Sequence, residues 1–407
     1  MKKIEGGVTA ASGFAAAATA AHIKYENRSD MALLYSERPC AAAGTFTTNV
    51  VKAAPVIWDR DIVESGAPVH AVVANAGIAN ACTGEVGMSC CKETAEALGA
   101  LLKLPAQSVC VASTGVIGAG LPMERIRAGI EAMAPKLSET IEAGHAAAQA
   151  IMTTDTKPKE CAVIFELDGK TVTIGGMCKG SGMIHPNMCT MLCFLTTDAA
   201  IDAPLLQEAL RESVKDTFNM VSVDGDTSTN DTVLLLANGA AGNAPITEKG
   251  AAYDAFFAAL GEVNTTLAKM IAGDGEGATA LFEVKVINAA SKEDAVTLAK
   301  SVVCSNLTKA AIYGHDANWG RILCALGYSG VTFDPLCVDL FFESAAGRLQ
   351  IIENGVALDY SEEVATKILS EEAVTAICDM KAGSAAATAW GCDLTYDYVK
   401  INADYRS

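Results

Sequence analysis

Long apolar runs, basic residues, aromatics and histidines are all scarce in this chain of 407 residues. No stretch carries about 18 strongly apolar residues in a row, so the sequence predicts no membrane-spanning helix. Lys and Arg number 30 against 48 Asp and Glu, a formal net charge of −18. That balance argues against nucleic acid or an anionic membrane as a partner, because both are held by basic patches. Aromatics make up 6% of the chain while hydrophobic residues reach 51%. The apolar content is therefore mostly small and suits a large core of closely packed strands and helices, not a disordered chain. Lys2 and Lys3 ahead of the alanine run at 15–18 imitate an export signal, but Glu5-Gly6-Gly7 and His22-Ile23-Lys24 break the pattern.

Several familiar sites are missing. The 14 cysteines contain no C-x-x-C pair, which excludes a zinc ribbon or thioredoxin-like centre and leaves free thiols of a reducing cytoplasm. The five histidines, His22, His70, His145, His185 and His315, never stand four apart. With no H-E-x-x-H there is no zinc hydrolase, and no metal site is expected. Gly180-Ser181-Gly182 and Tyr328-Ser329-Gly330 both miss the G-x-S-x-G of a serine hydrolase elbow. Asp224-Gly225-Asp226 begins like a calcium loop but lacks the glycine at its sixth position and the glutamate at its twelfth, where Leu235 stands, so it reads as a polar turn. No glycine-rich phosphate loop is present either.

What is present alternates. Strands are predicted over 69–74, 109–112, 161–167, 171–174, 191–195, 232–236, 281–287 and 338–342, with a further strand-like stretch at 396–401. A Gly/Asn loop is expected over 75–84. Helices are predicted over 94–104, 123–133, 139–152, 202–218 and 253–270, and Ser291-x-x-Asp294 opens another as a capping box. Asp168-Gly169 and Asn354-Gly355 are hairpin turns. The pattern predicts an α+β fold with mixed and antiparallel sheets layered with helices.

One dense segment remains: Lys179-Gly-Ser-Gly-Met-Ile-His-Pro-Asn187-Met-Cys189-Thr190-Met-Leu. By itself it is a glycine-rich turn entering a strand, and threonine is a weak nucleophile unless a base activates it. The segment resembles the self-cleavage site of the ornithine acetyltransferases, also called glutamate N-acetyltransferases. The likeness runs along nearly the whole chain. It takes in Thr47-Thr48-Asn49, Asn80-Ala-Cys-Thr83-Gly84, Ser113-Thr114-Gly115-Val-Ile-Gly118, Thr153-Thr154-Asp155, Asp274-Gly-Glu276-Gly and the terminal Asn402-Ala-Asp-Tyr-Arg-Ser407. Three positions depart from the family pattern: Cys189 in place of alanine, Ile78 in place of a polar residue, and Ala280 in place of a basic one. The last two bear on the electrostatics of the substrate site.

The resemblance implies a precursor with the architecture of a self-cleaving N-terminal threonine nucleophile. Cleavage between Cys189 and Thr190 would leave fragments 1–189 and 190–407, co-folded as one precursor and divided through shared sheets. The freed α-amino group of Thr190, with an ordinary pKa of about 7.7–8.0, would serve as base for its own hydroxyl. That accounts for a site without histidine. Thr190 would take acetyl from N-acetylornithine as an ester and pass it to glutamate. Thr114 and Gly115 match the family's oxyanion hole. Thr153, Lys179, Glu276, Asn402 and Ser407 match its substrate contacts. Taken alone, Lys179 is equally a solvated lysine before a glycine turn, and Glu276 a loop acid between glycines. No cofactor is implied, although acetyl-CoA is a candidate second acetyl donor. Self-association with two copies of each fragment is also implied. The rivals are a self-cleaving amidohydrolase or aminopeptidase using water as acceptor, and an acidic binding protein that remains one unbroken chain.

Overall fold

The computed structural model describes residues 1–185 and 191–403. Among these the chain forms two compact units, one of residues 1–180, 191–219 and 227–267, the other of residues 181–185, 220–226 and 268–403.

The first unit is built on a nine-stranded sheet. Its strands are β1 (Lys2–Ile4), β2 (Phe14–Thr19), β3 (Met31–Phe46), β4 (Val69–Ile78), β5 (Val109–Val116), β6 (Lys159–Leu167), β7 (Lys170–Lys179), β8 (Leu192–Thr197) and β10 (Thr232–Ala237); β9 belongs to the second unit. The order is β1-β6-β7-β8-β10-β3-β4-β5, with β2 also on β3. The β8–β10 and β4–β5 pairs are parallel and the rest antiparallel. The 16-residue β3 bends where Glu37, Arg38 and Pro39 are exposed, and its register against β4 shifts between Tyr35 and Cys40. Its first half serves β2 and β4 and its second half serves β10.

Alternation decides which side chains enter the core. Leu192, Phe194, Leu234 and Leu236 share one cluster, every second residue of two adjacent strands. Leu33, Val73, Val109 and Val111 share another with Ala95 and Leu98 of helix Gly84–Leu102 and Ile126 and Ile130 of helix Met123–Met133. Every residue of β8 and β10 is buried, as expected for parallel neighbours covered on both faces. The β6–β7 hairpin turns on Asp168 and Gly169, whose φ values of 51° and 73° are the positive pair that such a turn requires.

The second unit carries a seven-stranded sheet of β9 (Val221–Ser222), β11 (Leu281–Ala289), β12 (Asp339–Ser344), β13 (Gly347–Glu353), β14 (Val356–Ala357), β15 (Ala373–Asp379) and β16 (Ala385–Cys392). Its order is β14-β13-β12-β15-β11-β16-β9. Helix Lys292–Val303 packs on β11 and β16. Ser291 caps it by accepting the Asp294 N–H at 3.1 Å, as the capping box predicts. The architecture is α+β with mixed sheets.

Three local expectations need correction. Residues 396–401 are not a strand but part of helix Tyr396–Ala403. Their tyrosines, Val399 and Ile401 suit a strand, but a strand needs a neighbour to take up its backbone hydrogen bonds, whereas a helix satisfies its own, and Asp397 and Lys400 at its ends suit its dipole. The loop expected from 75 begins later, because β4 continues through Ile78 beside β5. The helix expected from 94 starts at Gly84, in a Gly/Ser/Cys stretch whose apolar period is faint. The alanine run at 15–18, for which no strand was predicted, lies in β2, paired with Met31–Ser36.

Candidate active site

In the first unit the site begins where β4 and β5 end. Their parallel register sets Gly77 against Gly115. Gly115 has φ of 129°, and a Cβ there would sit 2.2 Å from the Gly77 carbonyl carbon, so only glycine fits this close backbone approach. Just before it, Ser113 Oγ donates to Asn75 Oδ1 at 2.7 Å, and Asn75 Nδ2 donates to the Ile78 carbonyl at 2.9 Å. Thr114 is thereby held on a stitched strand end and buried.

Lys179, the last residue of β7, is also buried, not solvated. Its Nζ donates to Thr114 Oγ1 at 3.3 Å, joining two residues 65 apart in sequence. A buried ammonium needs a counter-charge, and Asp155 supplies one. Its carboxylate accepts from Lys159 Nζ at 2.6 Å and from the backbone N–H of Gly180 at 2.7 Å and of Thr153 at 3.0 Å. Burial alone would raise the Asp155 pKa; the charges of Lys179 and Lys159 and these hydrogen bonds outweigh it and hold it at about 2. Thr153 is held by this network and by Arg28, whose guanidinium reaches the carbonyls of Met152 and Thr153.

Cys189 and Thr190 lie outside the described residues. Their successor Met191 lies within them: its carbonyl accepts the Thr232 N–H at 3.0 Å, and Leu192 pairs with Lys179 across β7 and β8. The chain that follows Thr190 therefore starts beside the lysine that touches Thr114.

In the second unit Glu276 sits in the turn after helix Ala251–Gly273. Its N–H donates to the Ser181 carbonyl at 3.0 Å, and Ser181 Oγ donates to the Asp274 carbonyl at 2.7 Å. Gly182 lies against the Glu276 carboxyl so closely that a Cβ would stand 2.2 Å from its Cδ. Asn402 Nδ2 donates to Glu276 Oε2 at 2.7 Å, from the last turn of helix Tyr396–Ala403. Ser407 lies outside the described residues. Ile78 packs its side chain against the first unit's core, and the Ala280 N–H is held by Asp393 at 3.2 Å.

Three partners escaped the sequence reading. Asp155 was visible only as part of a threonine-rich motif. Asp224, dismissed with the calcium-like loop, accepts the N–H groups of Met183 at 2.6 Å and Ile184 at 2.8 Å and the Tyr398 hydroxyl at 3.3 Å, so it pins the glycine segment from behind. Asn230 reaches the carbonyls of Ala79 and Ser113. Only the unusual Asn-Asp pair ahead of a buried strand could have signalled it. Among the described residues no group of three or more His, Cys, Asp or Glu side chains could hold a metal ion, and no helix is long and apolar enough to cross a membrane.

Known proteins are similar to this chain along nearly its whole length. The ArgJ family profile matches residues 15–407. The arginine biosynthesis bifunctional protein ArgJ of Symbiobacterium thermophilum is 56% identical over 409 positions, covering 100% of each chain. Its counterpart in Thermotoga neapolitana is 52% identical over 396 positions, covering 97% of this chain and 99% of its own. Among solved structures, the arginine biosynthesis bifunctional protein ArgJ of Bacillus halodurans is 45% identical, with a TM-score of 0.50 over 52% of this chain and 97% of that one. The match takes in residues of both units, and the chain belongs to the ArgJ family, the ornithine acetyltransferases, which are acyltransferases of arginine biosynthesis.

Proposed function

We propose that the chain cuts itself between Cys189 and Thr190 and then transfers acetyl from N-acetylornithine to glutamate by a ping-pong route through an acetyl ester of Thr190. The observation that carries this reading is the contact of Lys179 with Thr114, next to the strand that continues from Thr190. In cleavage the Thr190 hydroxyl attacks the Cys189 carbonyl, an ester replaces the amide, and water hydrolyses it. The freed amine then takes the proton from its own hydroxyl. The hydroxyl attacks the acetyl carbonyl, ornithine leaves with that proton on its amine, and glutamate's amine attacks the ester in turn.

Each attack develops negative charge on the acetyl oxygen. The Thr114 hydroxyl and the Gly115 N–H are its donors in this reading. Lys179 supplies a point charge for the α-carboxylate common to both amino acids, which a chain of net charge −18 must provide locally. Glu276, braced by Asn402, offers a carboxylate for a substrate ammonium. Thr153 and Ser407 complete the substrate contacts. The solved ArgJ chain, matched over 97% of its own length to only 52% of this one, supports a mature enzyme made of two fragments. Two copies of each fragment, working in the cytoplasm, form the assembly in this reading. The relatives' description as bifunctional supports acetyl-CoA as a second donor, feeding the same ester.

A denaturing gel and N-terminal sequencing test the first step. Two bands are expected, one starting at Thr190, and Thr190→Ala should leave one band and no transfer. A wild-type chain that stays whole after long incubation would remove the free amine and with it the mechanism. For the second step, N-acetylornithine is supplied with and without glutamate. Glutamate-dependent N-acetylglutamate is expected, whereas acetate release indifferent to glutamate would indicate a hydrolase.

A further inference from the structure

We propose that Asn230 is a positioning residue for acyl transfer, acting through the strand end that carries Thr114 and Gly115; the inference rests on the reading of those two as oxyanion donors.

Asn230 is buried, and its side chain is fully committed. Its Nδ2 donates to the Ala79 carbonyl at 2.6 Å and to the Ser113 carbonyl at 2.8 Å. Its Oδ1 accepts from Thr229 Oγ1 at 2.6 Å, and its own N–H donates to Ser228 Oγ at 3.1 Å. With both carboxamide hydrogens and the oxygen engaged, the group cannot rotate without leaving buried carbonyls unpaired, a cost well above that of a solvent-exposed bond.

The two carbonyls it holds are informative. Ala79 directly follows β4, and Ser113 directly precedes Thr114. Fixing the Ser113 carbonyl fixes the peptide plane between Ser113 and Thr114, hence the direction of the backbone that aims the Thr114 side chain and the next N–H. Two residues on from Asn230, Thr232 pairs with Leu192 and donates to the carbonyl of Met191. One carboxamide thus ties the strand end bearing the oxyanion donors to the strand lying beside the one that follows Thr190. Its reach of 117 residues in sequence to Ser113 is not needed to close either strand pair, since β4–β5 and β8–β10 each have their own ladders. What it adds to the ladders through β3 is a direct side-chain tie at the strand end itself. Oxyanion donors lose most of their effect when displaced by about 1 Å, so such a tie bears directly on rate.

The test is a double-mutant cycle on the mature enzyme, with kcat expressed per chain starting at Thr190. Thr114→Val and Asn230→Ala are made singly and together, and Asn230→Asp serves as a same-shape variant that replaces the two donors by acceptors. Thr114→Val is expected to lower kcat by about 10²-fold. Asn230→Ala is expected to lower it by about tenfold or more, with KM changed less than about threefold. The double variant is expected to fall little below Thr114→Val, because both changes disable one device. If the two losses multiply, or if Asn230→Ala leaves kcat intact while only lowering Tm, Asn230 is a scaffold residue and the proposal is overturned. If Thr114→Val itself costs nothing, the oxyanion reading fails and takes the proposal with it. Should Asn230→Ala not fold, the same cycle with Asn230→Asp decides by the same criteria.

Discussion

Single residues here are constrained by backbone and charge more than by side-chain chemistry. Gly115 is the sharpest case. A methyl group at that position would enter the Gly77 carbonyl, and its φ of 129° is hostile to any L side chain. Gly115→Ala is expected to cost about 3 kcal/mol of stability, the sum of backbone strain and overpacking. It should also depress turnover by moving the N–H next to Thr114. Denaturant unfolding and steady-state rates of the purified variant check both. A Gly115→Ala protein as stable as its parent would show that β4 and β5 do not approach so closely.

Asp155 is constrained differently. It stands between two buried lysines, and removing its charge leaves both ammonium groups facing a neutral amide. Only the family resemblance marked the glycine, and nothing marked the aspartate apart from its motif. A glycine in a strand-end motif and an acid among threonines both read as loop residues until the opposing backbone and the lysines are placed.

At the scale of elements, the proposed cut falls in the connection between two antiparallel neighbours, β7 and β8, whose last ladder pair is Lys179 with Leu192. Both strands continue into deep burial, so fragments 1–189 and 190–407 would remain interlocked through one sheet after cleavage.

Helix Tyr396–Ala403 is the opposite kind of element. It buries none of its own residues, yet its last turn carries the Asn402 that braces Glu276. Breaking it should therefore separate function from stability. Ile401→Pro removes the turn's hydrogen bonding, and Tm is expected to stay within about 2 °C because little packing is lost. KM for N-acetylornithine is expected to rise roughly tenfold, the worth of one charge-assisted hydrogen bond. Scanning calorimetry and a substrate titration decide; an unchanged KM would detach Asn402 from substrate binding.

For the whole molecule, the acidic surface and the buried Asp155 network predict a particular response to acid. Asp155 titrates at about 2 in the fold against 3.8 for an ordinary aspartate. A carboxylate with a depressed pKa contributes stability that is present above pH 4 and is lost as pH falls through 2. The shift is worth about 2 kcal/mol. Asp155→Asn should be less stable at neutral pH by about 3–5 kcal/mol, as for a broken buried ion pair. Its stability should also fall less steeply between pH 4 and pH 2. Urea unfolding of both proteins across that window gives the test: parallel curves would mean that Asp155 carries no special charge pairing.

What the sequence could determine by itself was local or statistical. Asp168-Gly169 and Asn354-Gly355 specify their hairpins because positive φ is demanded within two residues. The cap at Ser291 specifies a helix start within three. Runs such as those in β8 and β10 announce burial through their own composition. Ordered motifs along the chain placed it in its family. What misled it was local too: the tyrosines, Val399 and Ile401 of 396–401 are residues that strands favour, and the chain there forms a helix.

The tertiary structure alone decided that Lys179 is buried on Thr114, that Asp155 neutralises it, and that Asn230 and Asn402 grip residues more than a hundred positions away. Those contacts depend on strand order and register, and a hydrogen bond that exists only once two distant strands are aligned leaves no periodic trace in either.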